Sequence, residues 1–363
     1  MQKKYRVAII GRTGKGNYGH GLDTVWKEVT NIEVVAVADD NKSGLAEALE
    51  RTAAQRTYTD YKEMLTREKP DIVSISQRWI DQHYEMAMAA AKHDCHIYME
   101  KPFVPTLQEA DEIITALESK HLKLAIAHVT RYSPLISHVR EMVAAGEIGE
   151  LVEMRGRGKE DDRRGGGEDL WVLGSHVVDM MRYFNGDVEA CTARVFADGH
   201  PVTKEDVFDG NEGIGPLAGD TLFATYEFDN GIPGYFNSTR TKTGSPGRFG
   251  LTLYGSKGAI HMTTGYAMNA WILRDSTWVP SNGEKSWEPI TVEHSGDGGH
   301  NGGNHMAVLD LIRAIEEDKQ PISSMYDARA ATEMIVAVFE SHRQGSRVEF
   351  PLDNRENPLT MLP

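Results

Sequence analysis

The sequence predicts an α/β protein with an N-terminal doubly wound dinucleotide-binding domain over residues 1–128 and a second domain over residues 129–363. Over the first 125 residues, short apolar runs alternate with helical patterns, as in parallel sheets built from β-α-β units. From Leu151 onward the pattern changes to short runs between Asn-Gly and Ser-Lys-Gly turns, which are typical of antiparallel strands. A chain of 363 residues also exceeds what a single hydrophobic core usually supports.

The individual elements follow from these patterns. Apolar runs of the first domain predict strands over residues 6–10, 33–38, 72–76, 96–99 and 122–127. Helical spacing between them predicts helices over residues 21–30, 42–51, 82–92 and 107–120. The second half predicts a helix over 170–184, then strands over 221–228, 233–238, 250–254 and 259–262, and helices over 305–317 and 328–342.

Composition excludes several classes of function. The formal net charge of −15 argues against a nucleic-acid partner, because phosphate binding needs clustered Lys and Arg. The two cysteines, Cys95 and Cys191, form no metal or disulfide motif, which favours a reducing cytoplasm. The apolar stretch that ends at Gly11 is too short for the core of a signal peptide, and no apolar run is long enough to cross a membrane. We therefore expect a cytoplasmic protein.

A glycine-rich loop from Gly11 to Gly19 follows the first predicted strand. Glycines there let the backbone turn sharply and approach a pyrophosphate. The literal G-x-G-x-x-G motif starts at Gly14, whereas Gly11 adjoins the strand, so two registers of the loop remain open. The candidate cofactor-binding residues in this loop are Gly11, Arg12, Thr13, Gly14, Gly16, Asn17 and Tyr18.

Asp39 ends the second predicted strand, where a carboxylate can accept hydrogen bonds from an adenosine ribose and repel a 2′-phosphate. This position favours NAD over NADP, with Asp40 beside it. The ends of the later strands supply the other candidate cofactor ligands, Ser76, Gln77, Trp79, His83, Glu100 and Lys101. Trp79 has two interpretations, since it could cover the cofactor or pack between the domains.

The tripeptide Glu100-Lys101-Pro102 closes the apolar run over 96–99. Ligands of open α/β sheets bind at the carboxyl ends of the strands, and a lysine ammonium held there can polarise a hydroxyl or carbonyl oxygen. Alone, the tripeptide is equally compatible with a solvated lysine in an ordinary loop. Together with the glycine loop, it predicts a catalytic lysine.

The segment from Gly174 to Asp179 lies on the predicted helix before the antiparallel strands. His176 and Asp179 are three residues apart and therefore share one helical face. Histidine is suited to proton transfer near neutrality, although a lone histidine on a partly apolar helix can also be a packing residue. We predict a catalytic role for His176.

These motifs, with Pro321-Ile322-Ser323-Ser324 and Asp327-Ala328-Arg329, resemble the family of glucose-fructose oxidoreductase, inositol dehydrogenase and MocA proteins over nearly the whole chain. The resemblance implies a Rossmann domain and a C-terminal α/β domain with an open, mainly antiparallel sheet that binds substrate and often forms the oligomer interface. It also implies that Lys101 and His176 flank the nicotinamide of NAD, and that a cis bond precedes Pro102.

One position departs from the family pattern. Sugar dehydrogenases of this family commonly carry an aspartate four residues before the histidine, where this chain has Val172. Glu168 or Asp169 could substitute, and Asp169 could equally cap the helix. The basic run near residue 160 is either a solvated loop or a set of ligands for an anionic or hydroxylated substrate. The predicted substrate-binding residues are Lys101, Arg131, Tyr132, Arg157, Lys159, Arg163, Arg164, Asp169, Val172, His176 and Asp179.

A glycine- and asparagine-rich loop is predicted over residues 296–304. From it, His300 and Asn304 could reach a substrate. His300 and His305 could also be metal ligands, but no third ligand stands at suitable spacing, so we expect no metal.

The leading hypothesis is an NAD-dependent oxidoreductase acting on a hydroxyl of a sugar, sugar derivative or cyclitol, as a homodimer or homotetramer. The alternative is an NAD-dependent glycoside hydrolase that works by transient oxidation and elimination, as in sulfoquinovosidases that resemble this family. A cofactor-binding regulator without turnover is a third possibility, which Lys101 and His176 argue against.

Overall fold

In the computed structural model, the described residues are 3–241, 248–265, 268–281, 285–292 and 300–363. They form two compact units. The first comprises Met1–Tyr132, Glu212–Ile214 and His300–Arg329, and the second comprises Ser133–Asn211, Gly215–Gly299 and Ala330–Pro363. None of the described helices combines the length and the apolar character needed to cross a membrane.

The strands, in chain order, are β1 Tyr5–Ile10, β2 Ile32–Ala38, β3 Arg56–Tyr58, β4 Ile72–Ile75, β5 His96–Met99, β6 Leu124–Ile126, β7 Leu151–Arg157, β8 Val188–Ala197, β9 His200–Pro201, β10 Phe208–Gly210, β11 Gly215–Leu217, β12 Thr221–Phe228, β13 Pro233–Thr239, β14 Gly250–Gly255, β15 Gly258–Thr263, β16 Ala270–Leu273, β17 Glu288–Ile290 and β18 Val348–Glu349. The longer α-helices are α1 Lys42–Thr52, α2 Tyr61–Glu68, α3 His83–Lys92, α4 Leu107–Glu118, α5 Pro134–Ala144, α6 Ser175–Asn185, α7 His300–Glu316 and α8 Met325–Gln344.

The first unit is built on a six-stranded sheet in the order β3-β2-β1-β4-β5-β6, and every neighbouring pair is parallel. The strand order reverses between β1 and β4, so the loops after these strands open a crevice at the carboxyl edge. One core against this sheet includes Trp26, Tyr98 and the α7 residues Val308 and Leu311. The predicted Rossmann layout is confirmed.

The second unit contains a ten-stranded sheet that follows the order β17-β16-β15-β14-β7-β13-β12-β8-β18, with β9 attached to β8. Its neighbouring strands are antiparallel except β7 and β13, which are parallel. Helix α6 packs closely on β7, because a Cβ on Gly156 would lie 2.4 Å from Val177 Cγ1. Helix α8 packs on the sheet as well, since the Tyr226 hydroxyl donates to the Met334 carbonyl at 3.0 Å. The predicted open, mainly antiparallel sheet is confirmed.

Some predicted elements were wrong or missing. The segment over 21–30 contains only a short 3-10 turn at Val25–Glu28 instead of an α-helix. Tertiary bonds stabilise this segment, because the Leu22 carbonyl accepts hydrogen bonds from the Trp26 indole and from Ser74 Oγ. Strand β3 and helix α2 were not predicted, since both are short and carry few apolar residues.

Two further corrections concern elements predicted in the second half of the chain. The predicted helix over 170–184 begins with a π-helical turn at Leu170–Gly174 before regular α6. Of the predicted loop over 296–304, residues 296–299 lie outside the described residues, and 300–304 belong to α7. Asn304 is therefore a buried helical residue and not part of a loop, and its predicted contact with a substrate gains no support.

Candidate active site

The glycine loop after β1 is a tight hairpin. The Arg12 and Asn17 backbones exchange hydrogen bonds of 3.0 and 2.9 Å. Gly11 must lack a side chain, because a Cβ there would lie 2.1 Å from the Tyr18 ring. Gly16 has φ 85° and lies close to the loop after β4. A Cβ on Gly16 would be 2.6 Å from the backbone nitrogens of Arg78 and Trp79. The loop after β1 thus contacts the loop after β4.

Asp39 anchors this hairpin to the end of β2. Its carboxylate accepts hydrogen bonds from Thr13 Oγ1 at 2.7 Å, from the Tyr18 hydroxyl at 2.8 Å and from the Asn41 backbone at 2.9 Å. Burial, followed by the bond to Asp39, raises the pKa of Tyr18. Asp39 is almost fully buried, whereas the side chain of the neighbouring Asp40 is 57% exposed. The predicted ribose contact of Asp39 stays a prediction, and Asp40 is the more accessible of the two acids.

A cavity of about 210 Å³ opens beside these acids. Its lining includes Gly11, Arg12, Asp39, Asp40 and Tyr61. The Arg12 guanidinium lies between two acids, with Nη1 3.0 Å from Asp81 Oδ2 and Nε 3.6 Å from Asp40 Oδ2. A glycine backbone, a cation and two carboxylates around one cavity fit the diphosphate and ribose of a dinucleotide.

The loop after β4 holds three further predicted cofactor ligands. Gln77 Nε2 donates to the Trp79 carbonyl at 2.7 Å. Gln77 Oε1 is buried and has no hydrogen-bond partner within the described part of the chain. An unsatisfied buried acceptor is unfavourable, so this oxygen suits a donor from a bound ligand, such as a nicotinamide carboxamide. Ser76 is fully buried and donates to Ser74 Oγ at 3.3 Å.

His83 joins the end of β4 to the loop after β5. Its Nε2 lies 2.9 Å from the Gln77 carbonyl oxygen. Its Nδ1 lies 3.0 and 2.9 Å from the carbonyl oxygens of Pro102 and Phe103. Because the His83 side chain is fully buried among backbone carbonyls, the structure gives it a supporting role behind the loop. The prediction of a direct cofactor contact by His83 gains no support from this placement.

Lys101 lies immediately after β5 and is 5% exposed. A cis bond joins it to Pro102, as the family resemblance implies. Its backbone N–H donates to Glu100 Oε2 at 3.0 Å, and the other Glu100 oxygen is hydrogen-bonded to His20 Nδ1. Burial raises the pKa of Glu100, but the His20 and Lys101 charges outweigh it, and the pKa falls to about 2. A carboxylate that stays ionised therefore lies beside the predicted catalytic lysine.

The structure gives Arg131 and Tyr132 partners within the first unit. The Arg131 guanidinium lies 3.1 Å from Asp327 Oδ1. The Tyr132 hydroxyl donates to Asp310 at 3.0 Å and accepts from the Ser323 backbone. These bonds attach the chain beyond β6 to α7 and to the Pro321–Ser324 motif, so the predicted substrate contacts of Arg131 and Tyr132 gain no support.

In the second unit, His176 and Asp179 both lie on α6 and are 5% and 1% exposed. Val172 lies one turn earlier, in the π-helical turn, and is 5% exposed. Valine carries no ionisable group, so Val172 cannot transfer the proton that an aspartate at this position could transfer. Asp179, three residues after His176, lies on the same helix.

Asp169 is fully buried, and its carboxylate has several partners within the protein. Its carboxylate accepts hydrogen bonds from Ser238 Oγ at 2.6 Å and from the Glu160 backbone at 3.0 Å. Burial raises the pKa of Asp169 above its usual range, and these hydrogen bonds offset only part of the effect. Asp169 forms no side-chain cap on the helix either. It holds the loop after β7.

The predicted cationic ligands are paired with acids of the same loop. Arg157 Nε donates to the fully buried Glu160 at 2.9 Å. Carboxylate oxygens lie 3.8 Å from Lys159 and 3.2 Å from Arg164, both on Asp161, and 4.0 Å from Arg163, on Glu168. Arg157 belongs to strand β7, which excludes a purely loop-like basic run. Binding of an anionic substrate by these groups stays a prediction.

Sequence reasoning missed His20, which contacts Glu100 from the end of the glycine loop. A histidine directly after Gly19, at the carboxyl edge of the sheet, was the available signal. The role of Asn304 had no local signal, because its partners, Tyr98 and the His20 carbonyl, lie far away in the sequence.

Comparisons with known proteins agree with this geometry. Residues 5–128 match an oxidoreductase family through its NAD-binding Rossmann fold, and residues 140–350 match its C-terminal alpha/beta domain.

Levoglucosan dehydrogenase of Pseudarthrobacter phenanthrenivorans is 25% identical over 248 residues, which cover 62% of this chain and 63% of that protein. Myo-inositol 2-dehydrogenase of Thermotoga maritima is 26% identical over 258 residues, 69% of this chain and 74% of that protein. A solved levoglucosan dehydrogenase in complex with NADH and levoglucosan superposes with a TM-score of 0.75 at 20% identity, covering 96% of this chain and 99% of that one.

Proposed function

The chain belongs to this oxidoreductase family, whose first domain is an NAD-binding Rossmann fold, and we propose that it oxidises a hydroxyl group of a sugar, sugar derivative or cyclitol with NAD. The observation that carries the proposal is Lys101, buried at the carboxyl end of β5 beside the ionised Glu100. Relatives named levoglucosan, myo-inositol and D-glucoside dehydrogenases support the substrate class.

The proposed reaction removes a hydride from a carbinol carbon and a proton from its hydroxyl. NAD, when bound, accepts the hydride. Lys101 would hold the substrate oxygen and stabilise the negative charge that develops on it. Lys101 or His176 would take the hydroxyl proton, which then passes to solvent. The product is a ketone, or a lactone where the anomeric carbon is oxidised, together with NADH.

The glycoside hydrolase alternative would involve no net oxidation of the sugar. The hydride would return to the sugar after elimination of the anomeric group and addition of water, so no NADH would accumulate. Val172 is compatible with it, but the named relatives are dehydrogenases, which favours net oxidation. We further propose a cytoplasmic homodimer or homotetramer, and the two free, buried cysteines are consistent with a reducing compartment.

The test is a panel containing levoglucosan, myo-inositol, free hexoses and nitrophenyl glycosides, with NADH and released nitrophenol followed in the same sample. We expect one NADH per oxidised sugar and no release of nitrophenol. Many turnovers of nitrophenol without NADH would establish the hydrolase instead. No NADH and no nitrophenol from any compound in the panel would contradict both forms of the proposal.

A further inference from the structure

We propose that His20 is a positioning residue for Lys101, acting through the Glu100 carboxylate, and that Asn304 holds His20 in place. The inference rests on the proposed function, because it assumes that the placement of Lys101 governs turnover. It concerns residues of the first unit alone.

The first step is the contact between His20 and Glu100. Glu100 is 1% exposed, and its two oxygens have separate partners, the His20 ring and the Lys101 backbone N–H. A buried carboxylate is stable only when such partners are present. Since Glu100 precedes Lys101 directly, a change in the Glu100 side chain moves the backbone from which the Lys101 side chain extends.

The second step is the close approach that this contact requires. Gly19 has φ 62°, and a Cβ there would lie 2.5 Å from the Ser76 carbonyl and 3.2 Å from Glu100 Cγ. The chain before His20 therefore passes directly over the ends of β4 and β5. The segment that follows, residues 21–30, contains only the short 3-10 turn at Val25–Glu28.

The third step is the support from α7. Asn304 Nδ2 donates to the His20 carbonyl at 2.9 Å, and Asn304 Oδ1 accepts from the Tyr98 hydroxyl at 2.6 Å. Asn304 and Tyr98 are both fully buried. Tyr98 lies on β5, two residues before Glu100. The hydrogen bonds thus form a closed circuit from β5 through α7 to His20 and back to the residue that precedes Lys101.

Helix α7 contributes both apolar and polar contacts to the first unit. Helix α7 supplies apolar residues to the core, but Asn304 is a polar residue in that buried face. Burying an amide is favourable only if its hydrogen bonds are made, and here one bond goes to strand β5 and the other to the His20 carbonyl.

The experiment compares wild type with His20→Ala, His20→Asn and the control His138→Ala, whose side chain is 43% exposed on α5. Hydrogen exchange of the peptide over 98–104 is measured in the protein without NAD. NAD affinity is measured by calorimetry, and kcat and KM are measured with the sugar from the panel that yields most NADH.

For His20→Ala we expect exchange in that peptide to rise about tenfold, because a local opening becomes easier. We expect kcat to fall about ten- to a hundredfold, the effect of misplacing a reacting group, while NAD affinity changes less than about threefold. His20→Asn should have a kcat and an exchange rate close to those of wild type, since an amide N–H can take the place of Nδ1–H. His138→Ala should behave as wild type.

Unchanged exchange over 98–104 in His20→Ala would overturn the inference. A loss of NAD affinity as large as the loss of kcat would also overturn it, because His20 would then be a cofactor ligand. If His20→Ala does not fold, Asn304→Ala tests the same circuit with the same expectations. If wild type oxidises no sugar, the proposed function fails, while the exchange data still decide whether His20 holds the segment.

Discussion

Lys101 is the residue of the Glu100-Lys101-Pro102 motif whose side chain can stabilise a developing oxyanion, because it carries an ammonium group. Lys101→Met keeps most of the side-chain stem but removes the ammonium. We expect kcat to fall at least about a hundredfold while NAD affinity stays near the wild-type value. Lys92→Met, on the exposed surface of α3, is the control. Steady-state kinetics and calorimetry decide, and full turnover in Lys101→Met would leave Lys101 a structural residue.

Asp39 combines two effects that a pair of substitutions can separate. Its charge is predicted to oppose a 2′-phosphate, and its hydrogen bonds anchor Thr13 and Tyr18 of the glycine loop. Asp39→Ala removes both, so we expect a higher KM for NAD and a shift of at least about tenfold in relative kcat/KM toward NADP. Tyr18→Phe removes one hydrogen bond and no charge, so the cofactor ratio should stay unchanged.

Measurement of kcat/KM with both cofactors decides this prediction. Wild-type enzyme that uses NADP as well as NAD would contradict it, and would point to Arg12 as a phosphate ligand strong enough to outweigh Asp39 and Asp40.

At the scale of single elements, His96 at the start of β5 is expected to make the stability of the folded protein depend on pH. Its Nδ1 accepts a hydrogen bond from the Lys123 backbone at 2.9 Å, which requires an unprotonated nitrogen. Burial and the charges of Lys3 and Lys123 lower the pKa of His96 from 6.5 to about 4. The unfolded chain therefore binds a proton at higher pH than the folded protein. Stability should be lost as pH falls from 6.5 toward 4, with a slope of up to about 1.4 kcal/mol per pH unit from this residue.

Urea unfolding across this pH range measures the effect. His96→Asn keeps an acceptor for the Lys123 N–H but cannot be protonated, so its stability should depend less steeply on pH than that of wild type. Equal slopes in the two proteins would show that His96 does not control this part of the acid response.

The basic run near residue 160 shows how the end of a strand determines which residues its charged side chains contact. In the sequence, three acidic residues, Glu160, Asp161 and Asp162, interrupt the cations of this run, but which cation contacts which acid cannot be seen. In the structure, β7 ends within it, and the buried Glu160 at φ 58° turns the chain so that Arg157 meets a carboxylate. The cations of this run therefore have acidic partners nearby, with which an anionic substrate would compete.

At the scale of the whole molecule, one face of the second unit's sheet carries aromatic side chains. Phe196 and Phe223 stack with ring centroids 5.9 Å apart, and Phe223 is 46% exposed. Arg155 lies over the rings of Tyr235 and Tyr254 on neighbouring strands. Aromatic groups and Arg in this arrangement are typical of protein interfaces, so we expect a homodimer or homotetramer at micromolar concentration.

Light scattering coupled to size exclusion measures the oligomeric state. Phe223→Glu places a charge at the centre of this face and should shift the species toward monomer, whereas Phe208→Glu, on the β10–β11 hairpin, should not. A wild-type protein that remains a monomer at micromolar concentration would contradict the assignment of this face.

Local sequence patterns determined the parallel sheet, the glycine loop, the lysine after β5 and the histidine helix. Each of these depends on the spacing of apolar residues or on a few adjacent residues, and both are visible in the chain itself. The family match agrees with that part of the prediction. Element ends and short polar elements, such as β3 and α2, were missed because they bury little apolar surface.

Only the tertiary structure decided what surrounds Lys101. The segment after the glycine loop has a helical pattern, yet hydrogen bonds from Ser74 and Asn304 hold it in another conformation. Asn304 lies in a glycine-rich stretch that predicts a loop, but it enters the core and reaches the His20 carbonyl. Contacts between residues so distant along the chain leave no periodic signal, because each depends on the packing of elements that form separately.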